Sequence, residues 1–267
     1  MELGCSTILY GGHSLDDALA GIQKAGYKAI ELCAIQGMAD HLPVGESASF
    51  YADLKKKVAD HGLAIESIGG SGDIHGPEGR ARFIELLKIG QQIGAPAVTT
   101  SAGGKSDDQE SWAQVIAIMK ELAKVAADTG VKISIKPHVR AAVYSTKSAL
   151  KFREQVDRDW IGINVDASHL WRTPEQEMPE ESIATLADHI FTARIRDTLS
   201  REFPIGPVET QIPGGGAMNI AAIMAAIQRL PLKYMTLEIV GTKDWALDDV
   251  QHVVEESKSK LDPFMME

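Results

Sequence analysis

Eight short apolar runs alternate along the chain with eight longer segments in which apolar residues recur at steps of three and four positions. Short runs rich in β-branched side chains are typical of buried strands, whereas the longer periodicity is typical of helices with one buried face. The short runs predict strands at Glu2–Tyr10, Lys28–Ala34, Leu63–Gly69, Ala97–Ser101, Val131–Pro137, Ile161–Asp166, Ile190–Arg196 and Tyr234–Val240. The longer segments predict helices at Ser14–Ala25, Ser47–His61, Glu78–Ile93, Asp108–Thr129, Thr146–Val156, Glu180–Asp188, Asn219–Arg229 and Leu247–Leu261.

This alternation predicts a parallel sheet, because consecutive parallel strands need a crossover connection that a helix supplies. Eight units of strand and helix within 267 residues fit a closed (β/α)8 barrel better than an open sheet. An open doubly wound sheet normally carries a glycine-rich fingerprint after its first strand, and Tyr10-Gly11-Gly12-His13 is not one. No linker, composition shift or internal repeat interrupts the alternation, so we expect one barrel domain over residues 1–267.

The acidic composition narrows the range of partners. The chain has 37 acidic and 27 basic residues, a formal net charge of −10, which disfavours nucleic acid or an anionic membrane as the main partner. No stretch approaches the roughly 18 apolar residues of a membrane span, and Met1–Gly4 has no basic segment typical of a signal peptide. Cys5 and Cys33 are too few for a disulfide framework and are expected to be buried thiols. We expect a soluble, cytoplasmic protein with neither a nucleic acid nor a membrane partner.

Ionisable residues inside apolar runs are the most informative positions, because burying an unpaired charge is unfavourable. Lys136, Asp166 and Glu238 each stand where a predicted strand is strongly apolar. In a (β/α)8 barrel the carboxyl ends of the strands meet at one mouth, where binding and catalysis take place. The polar residues expected there are Glu31, Glu66, His75, Lys136, His138, Asp166, His169, Arg194, Arg196, Asp197 and Glu238. Each of them alone is equally compatible with a structural ion pair.

The segment Asp166-Ala-Ser-His169 resembles the D-x-x-H signature of the xylose-isomerase-like TIM barrels, the sugar phosphate isomerase and epimerase group. Further segments resemble that family in the same order, namely Ala29-Ile-Glu31-Leu, Lys136-Pro-His138, Arg194-Ile-Arg196-Asp197, the Pro213–Gly216 loop followed by Asn219-Ile220, and Leu237-Glu238. The resemblance covers essentially the whole chain. It implies a TIM barrel and an enzyme that acts on a small sugar or sugar acid, and it is compatible with a homo-oligomer.

The resemblance also concerns a metal site. Members of the family hold a divalent metal through a Glu on the fifth strand, an Asp on the sixth, a His on the seventh and a Glu on the eighth. Asp166 and Glu238 match two of these ligands, whereas Lys136 and Arg194 replace the other two. An ammonium and a guanidinium have no lone pair to offer a metal, so we expect no metal cofactor. The alternative is a divalent ion such as manganese, magnesium or zinc bound by Asp166, His169 and Glu238.

Two protein cations would then replace the charge of the metal. The residues predicted to be catalytic are Lys136, Glu238, Asp166 and His169. Lys136 is expected either to polarise a carbonyl or to form a Schiff base with a keto sugar, with a carboxylate acting as base. The residues predicted to bind substrate are Arg194, Glu31, His138, Arg196, Trp171 and His75, with Trp171 and Arg172 forming a lid over the sugar. The competing interpretations are a decayed metal site neutralised by salt bridges, a core histidine at His169 and a functionless loop aromatic at Trp171.

These predictions favour an isomerase or epimerase that abstracts a proton next to the carbonyl of a small keto sugar or sugar acid. The alternatives are a metal-independent lyase or decarboxylase of an anionic keto sugar acid, and a catalytically inactive sugar-binding barrel. Nucleic acid repair, known among enzymes that share this barrel, is disfavoured by the net charge of −10 and by the substituted ligand positions.

Overall fold

The computed structural model describes residues 1–265. Its strands are β1 Glu2–Ser6, β2 Ala29–Ile35, β3 Ala39–Asp40, β4 Ala64–Gly69, β5 Ala97–Ser101, β6 Lys132–Lys136, β7 Ile161–Asp166, β8 Ile190–Ile195 and β9 Tyr234–Leu237. All strands except β3 are parallel and pair in chain order, and β9 pairs with β1, which closes the sheet into an eight-stranded barrel. The short strand β3 lies antiparallel to the end of β2. The prediction of a (β/α)8 barrel is confirmed.

Helices connect the strands around the outside of the barrel. They are α1 Leu15–Lys24, α2 Ala48–Asp60, α3 Pro77–Ile93, α4 Gln109–Thr129, α5 Thr146–Arg153, α6 Ala167–Trp171, α7 Pro179–Leu186, α8 Val208–Gln211, α9 Ile220–Gln228 and α10 Leu247–Leu261. Side chains that satisfy free backbone N–H groups fix where helices begin, as Ser14 does for α1 and Asp108 for α4. Within residues 1–265, no helix combines the length and the apolar character that crossing a membrane requires.

The largest difference from the predicted elements lies at the first strand. The strand ends at Ser6 rather than Tyr10, and Thr7–Tyr10 forms a 3₁₀ helix that begins where the Ser6 hydroxyl accepts a hydrogen bond from the Ile8 N–H. Thr7–Tyr10 is buried in the 3₁₀ helix, as a strand in the barrel would be. An apolar run therefore could not distinguish a 3₁₀ helix from a strand. The short helices α6 and α8 were not predicted, because four or five residues show no helical period.

Two register shifts in the barrel affect the inward-facing side chains. One lies between Ile30 and Glu31 of β2, and the other lies between Ile163 and Asn164 of β7. A bulge changes which residues of neighbouring strands stand opposite each other. After the second shift, Asp166 stands level with Arg194 at the carboxyl end of the barrel.

Candidate active site

A cavity of about 280 Å³ opens at the carboxyl ends of the barrel strands. The polar side chains that line it include Glu31, Lys136, Asn164, His169, Arg196 and Glu238. Its apolar side is formed by residues that include Ile8, Met38, Phe203, Ile205 and Val240. A cavity of this size fits a small molecule, with polar groups to orient it and an apolar side that restricts water.

Lys136 and Glu238 form the most direct ion pair at the cavity. The Lys136 Nζ lies 2.5 Å from Oε1 and 2.7 Å from Oε2 of Glu238, and 3.2 Å from Oδ2 of Asp166. Lys136 ends β6, Asp166 ends β7, and Glu238 follows the last residue of β9. The three side chains are at most 12% exposed, so their charges interact with little screening by water.

Arg196 is the second cation that pairs with Asp166. Its Nη2 lies 2.8 Å from Asp166 Oδ2 and 3.1 Å from His169 Nε2, and its Nε donates to the Ser168 hydroxyl at 2.8 Å. Burial alone would raise the pKa of Asp166, but the charges of Arg196 and Lys136 outweigh burial and hold that pKa well below its usual range. Asp166 is therefore a fixed carboxylate that orients cations, which makes it a poor candidate for a general base.

Arg194 lies beneath the cavity and does not line it. Its guanidinium is fully buried and contacts Glu66 Oε1 at 2.5 Å, Glu31 Oε1 at 2.7 Å and the Ser67 hydroxyl at 2.8 Å. Its Nε is 3.5 Å from Glu238 Oε2. The prediction that Arg194 binds substrate is therefore not supported by its position, because the side chain is enclosed by protein groups. It instead holds together carboxylates from three strands.

The pKa values of Glu31 and Glu66, which both contact the Arg194 guanidinium, shift in opposite directions. Burial would raise the pKa of Glu31, but the charges of Arg194 and Lys136 and a hydrogen bond from Ser6 lower it to about 2. For Glu66, burial outweighs Arg194 and raises the pKa. Glu31 also accepts a hydrogen bond from the Thr99 hydroxyl at 2.8 Å. Glu31, which lines the cavity, is thus a firmly ionised structural carboxylate.

His138 and His169 stack at one side of the cavity, with ring centroids 4.2 Å apart. Burial is the main cause that lowers the pKa of both imidazoles, and the pKa of His169 lies well below its usual range. Both rings are therefore neutral at pH 7. The His138 Nδ1 lies 2.9 Å from the Val139 carbonyl oxygen, so it carries the ring proton and leaves Nε2 as an acceptor. An acceptor on a cavity wall suits a substrate hydroxyl.

Besides Arg194, two further residues predicted to bind substrate lie outside the cavity lining. The Trp171 ring stacks beneath the Arg201 guanidinium at 3.4 Å, and Arg201 donates to the Trp171 carbonyl oxygen at 3.0 Å. The His75 Nε2 lies 2.9 Å from the Ala102 carbonyl oxygen. These contacts give both aromatic rings structural roles, so neither a Trp171 lid nor a His75 substrate contact is supported.

The structure adds one polar residue to the predicted site and revises the prediction for another. Asn164 is fully buried, and within residues 1–265 neither its amide oxygen nor its amide nitrogen has a hydrogen-bond partner. Arg172, expected only as part of a lid, is buried and lines the cavity. The position of Asn164 could have been predicted from the sequence. It lies two residues before Asp166 on the same strand, and side chains two residues apart lie on the same face of a strand.

The donors at the mouth are ill suited to a divalent metal. Within residues 1–265, no three His, Cys, Asp or Glu side chains are grouped in a way that would hold a metal ion. Asp166 and Glu238 are both in contact with the Lys136 ammonium, and the Asp166 and His169 acceptors face the Arg196 guanidinium. The lone pairs that a hard cation would need are directed at protein cations.

The closed parallel barrel with a charged cavity at its carboxyl end is the architecture of the TIM-barrel enzymes. The family model described as xylose isomerase-like TIM barrel matches residues 19–257, and the chain therefore belongs to this family. The resemblance stated from the sequence motifs is thus confirmed.

Solved structures share the fold at low sequence identity. The probable 3-DHS dehydratase AsbF of petrobactin synthesis from Bacillus anthracis is 17% identical, with a TM-score of 0.76 over 96% of this chain and 98% of that one. The IolI protein with a bound zinc atom is 19% identical, with a TM-score of 0.77 over the full length of both chains. D-psicose 3-epimerase from Clostridium cellulolyticum H10 is 16% identical, with a TM-score of 0.77 over 99% and 98%. No curated protein sequence is significantly similar to this one.

Proposed function

We propose that the protein is an enzyme of the sugar isomerase and epimerase type, which removes a proton from the carbon next to the carbonyl of a small keto sugar or sugar acid. The observation that carries this proposal is the contact between Lys136 and Glu238 at the cavity, with Nζ and Oε1 2.5 Å apart. Proton abstraction next to a carbonyl needs a base beside the carbon and a positive group beside the oxygen. These two side chains provide both in one place.

The reaction follows from the positions of the two groups. A Glu238 oxygen takes the proton from the carbon next to the carbonyl, and the electrons of that C–H bond form the C=C bond of an enolate. The carbonyl oxygen becomes negative and is stabilised by the Lys136 ammonium. For isomerisation, Glu238 returns the proton to the former carbonyl carbon, and the hydroxyl proton of the neighbouring carbon passes to the enolate oxygen, so that the neighbouring carbon becomes the new carbonyl. For epimerisation, a water molecule supplies a proton to the opposite face of the same carbon, and the hydroxide formed takes the proton held by Glu238. Asp166 keeps the ammonium in position at 3.2 Å and is itself held by Arg196 at 2.8 Å.

The polar cavity wall supports a substrate that carries several hydroxyl groups. The Asn164 amide offers an unused donor and an unused acceptor, and the His138 Nε2 offers a further acceptor. Hydroxyl groups satisfy both kinds of site. The solved epimerase, named for D-psicose, is in keeping with this substrate class.

We also propose that the reaction needs no divalent metal. The Lys136 ammonium lies between Glu238 and Asp166. A metal ion bound by these two carboxylates would have to occupy the same position. Metal analysis of protein purified without chelators is expected to find no stoichiometric ion. Manganese, magnesium or zinc at one equivalent, lost together with activity when Asp166 or His169 is replaced, would overturn this part of the proposal.

The geometry favours electrostatic catalysis over a Schiff base. The Lys136 ammonium is in contact with three carboxylate oxygens, so its nitrogen would first have to lose a proton and leave both carboxylates. Borohydride with a turned-over keto sugar should therefore leave no adduct on Lys136. An adduct at this residue would favour covalent chemistry.

Uptake of solvent deuterium tests the proposed reaction even when the product is unidentified. The protein is incubated in D₂O with a panel of small keto sugars and keto sugar acids, and the carbon next to the carbonyl is followed by proton NMR. Exchange at this carbon that is lost in Glu238→Gln supports the proposal. Loss of a carboxyl group as carbon dioxide identifies the decarboxylase instead. If the panel binds but shows neither exchange nor turnover, the protein is an inactive sugar-binding barrel.

A further inference from the structure

The Arg172 guanidinium is buried and, within residues 1–265, is not in direct contact with a carboxylate. Only 6% of the residue is exposed, and it lines the cavity just after α6. Its Nε donates to the Ser168 carbonyl oxygen at 3.0 Å, and its Nη2 lies 3.4 Å from His169 Nδ1. Within residues 1–265, no Asp or Glu oxygen lies within 4.0 Å of its nitrogens, and its Nη1 has no protein acceptor. A buried charge of this kind is costly unless a ligand neutralises it.

Arg196 provides a second guanidinium nitrogen that is poorly satisfied. Its Nε and Nη2 are engaged by Ser168, Asp166 and His169, whereas its Nη1 lies 3.9 Å from Glu238 Oε1. That distance is too long for a hydrogen bond. Each of the two arginines therefore has one nitrogen available to a ligand in the same cavity.

The other cations that line the cavity are paired with carboxylates. Lys136 contacts Glu238 and Asp166, and Arg196 contacts Asp166. Within residues 1–265, Arg172 is the cation of the cavity wall that has no carboxylate within 4.0 Å. The electrostatic environment of Arg172 agrees with an unpaired charge. Burial, followed by repulsion from Arg196, lowers the pKa of Arg172 to about 10, so the residue remains charged at pH 7.

We propose that Arg172 and Arg196 form a carboxylate subsite, and that the substrate is a sugar acid whose carboxylate occupies it. This inference rests on the proposed function, because it names the substrate class of the same cavity. Two available guanidinium nitrogens match the two oxygens of a carboxylate, and the negative charge of that carboxylate would pair with the Arg172 guanidinium. A phosphate monoester would bring a second negative charge close to Glu238, which lies 3.9 Å from the Arg196 Nη1.

Calorimetric binding of three small probes to the wild-type protein tests the subsite. The probes are threonate, the neutral polyol threitol with the same carbon chain, and glycerol 3-phosphate. A charge-assisted pair in a cavity favours threonate over threitol by at least about tenfold. Equal binding of threonate and threitol, no threonate binding at millimolar concentration, or tighter binding of glycerol 3-phosphate would each overturn the proposal.

Arg172→Met removes the charge and keeps an unbranched side chain. It should lower the affinity for threonate at least about tenfold and leave threitol within twofold, whereas Arg172→Lys should retain part of the preference. The matched control is Arg229→Met, because Arg229 is an exposed arginine that borders a cavity with residues at the amino ends of the strands. An Arg172→Met protein that stays folded by circular dichroism and keeps the preference for threonate would contradict the assignment.

The binding assay separates this inference from the proposed function, because binding needs no turnover. A preference for threonate that depends on Arg172, in a protein that exchanges no proton of any keto sugar acid, would refute the proposed reaction and leave the subsite. Proton exchange with neutral keto sugars, together with equal affinity for threonate and threitol, would refute the subsite and leave the reaction.

Discussion

Replacing Lys136 by methionine tests the central feature of the proposed reaction. Methionine keeps most of the side-chain volume and removes only the charge. The Lys136 Nζ lies 2.7 Å from Glu238 Oε2, a distance at which one pair of charges attracts by about 6 kcal/mol at an effective dielectric constant of about 20. Desolvation of both groups offsets much of this attraction. Breaking such a buried pair therefore destabilises a protein by about 3–5 kcal/mol, because the remaining carboxylate is left without its partner.

That loss should be visible in thermal unfolding. A change of about 3–5 kcal/mol lowers the Tm by about 6–20 °C in a chain of this size. The double variant Lys136→Met with Glu238→Gln should recover most of the stability, because it leaves no unpaired charge at this position. Asp166 keeps its pair with Arg196 in both variants. Full stability of the single variant would mean that the carboxylate finds another partner or a proton.

Turnover separates the catalytic role of Lys136 from its structural role. Loss of the group that stabilises an enolate oxygen should lower kcat about 100- to 1000-fold, measured by deuterium exchange well below the Tm of the variant. The double variant should stay inactive although its stability returns. Lys132→Met is the matched control, since Lys132 is exposed at the other end of β6 and should be replaceable without effect on kcat. If Lys136→Met turns a substrate over within threefold of the wild-type rate, the proposed role of Lys136 is wrong.

Three further outcomes follow from the structure. Asn164→Leu should leave the Tm unchanged or higher, because it removes two unpaired buried polar groups, but it should raise KM about tenfold through lost substrate hydrogen bonds. Glu31→Gln should flatten the pH dependence of unfolding between about pH 4.5 and 2, measured by denaturant titration. The pKa of Glu31 is lowered from 4.5 to about 2, so its stabilisation of about 3 kcal/mol is complete above the unfolded-state value and lost as the pH falls through the folded-state value. Trp171→Phe should leave KM within twofold in steady-state kinetics, because Trp171 lies outside the cavity lining.

The barrel could be predicted because its pattern is repeated and local. Strands such as Ala97–Ser101 and Ile161–Asp166 have the predicted bounds, since an apolar run between two helices has few other conformations in an α/β chain. The first strand was predicted too long because the residues of the strand and those of the following 3₁₀ helix are both buried and apolar. The bounds of Thr7–Tyr10 depend on a hydrogen bond to Ser6, which no period reveals.

The charged part of the site could be predicted for a similar reason. Lys136, Asp166 and Glu238 stand out because each interrupts an apolar run, and the structure brings their side chains into contact. Asn164 did not stand out, because an uncharged polar residue in a strand is common and only the packed structure shows that its amide has no partner. Arg172 was predicted only as part of a lid, because the sequence does not show that, within residues 1–265, no carboxylate lies within 4.0 Å of its guanidinium.

Lys136 and Arg194, which replace two metal ligands of the family, both pair with carboxylates in the barrel. Four carboxylates, those of Glu31, Glu66, Asp166 and Glu238, converge from different strands of the barrel. Lys136 pairs with Glu238 and, together with Arg196, with Asp166, whereas Arg194 pairs with Glu31 and Glu66 and also approaches Glu238 at 3.5 Å. Because Arg194 holds Glu31 and Glu66, Lys136 is left to contact Glu238 and Asp166 at the cavity, as its proposed role requires. With a neutral side chain in place of Arg194, the Lys136 ammonium would be the main cation acting on Glu31 as well, and it would be less free to stabilise an enolate.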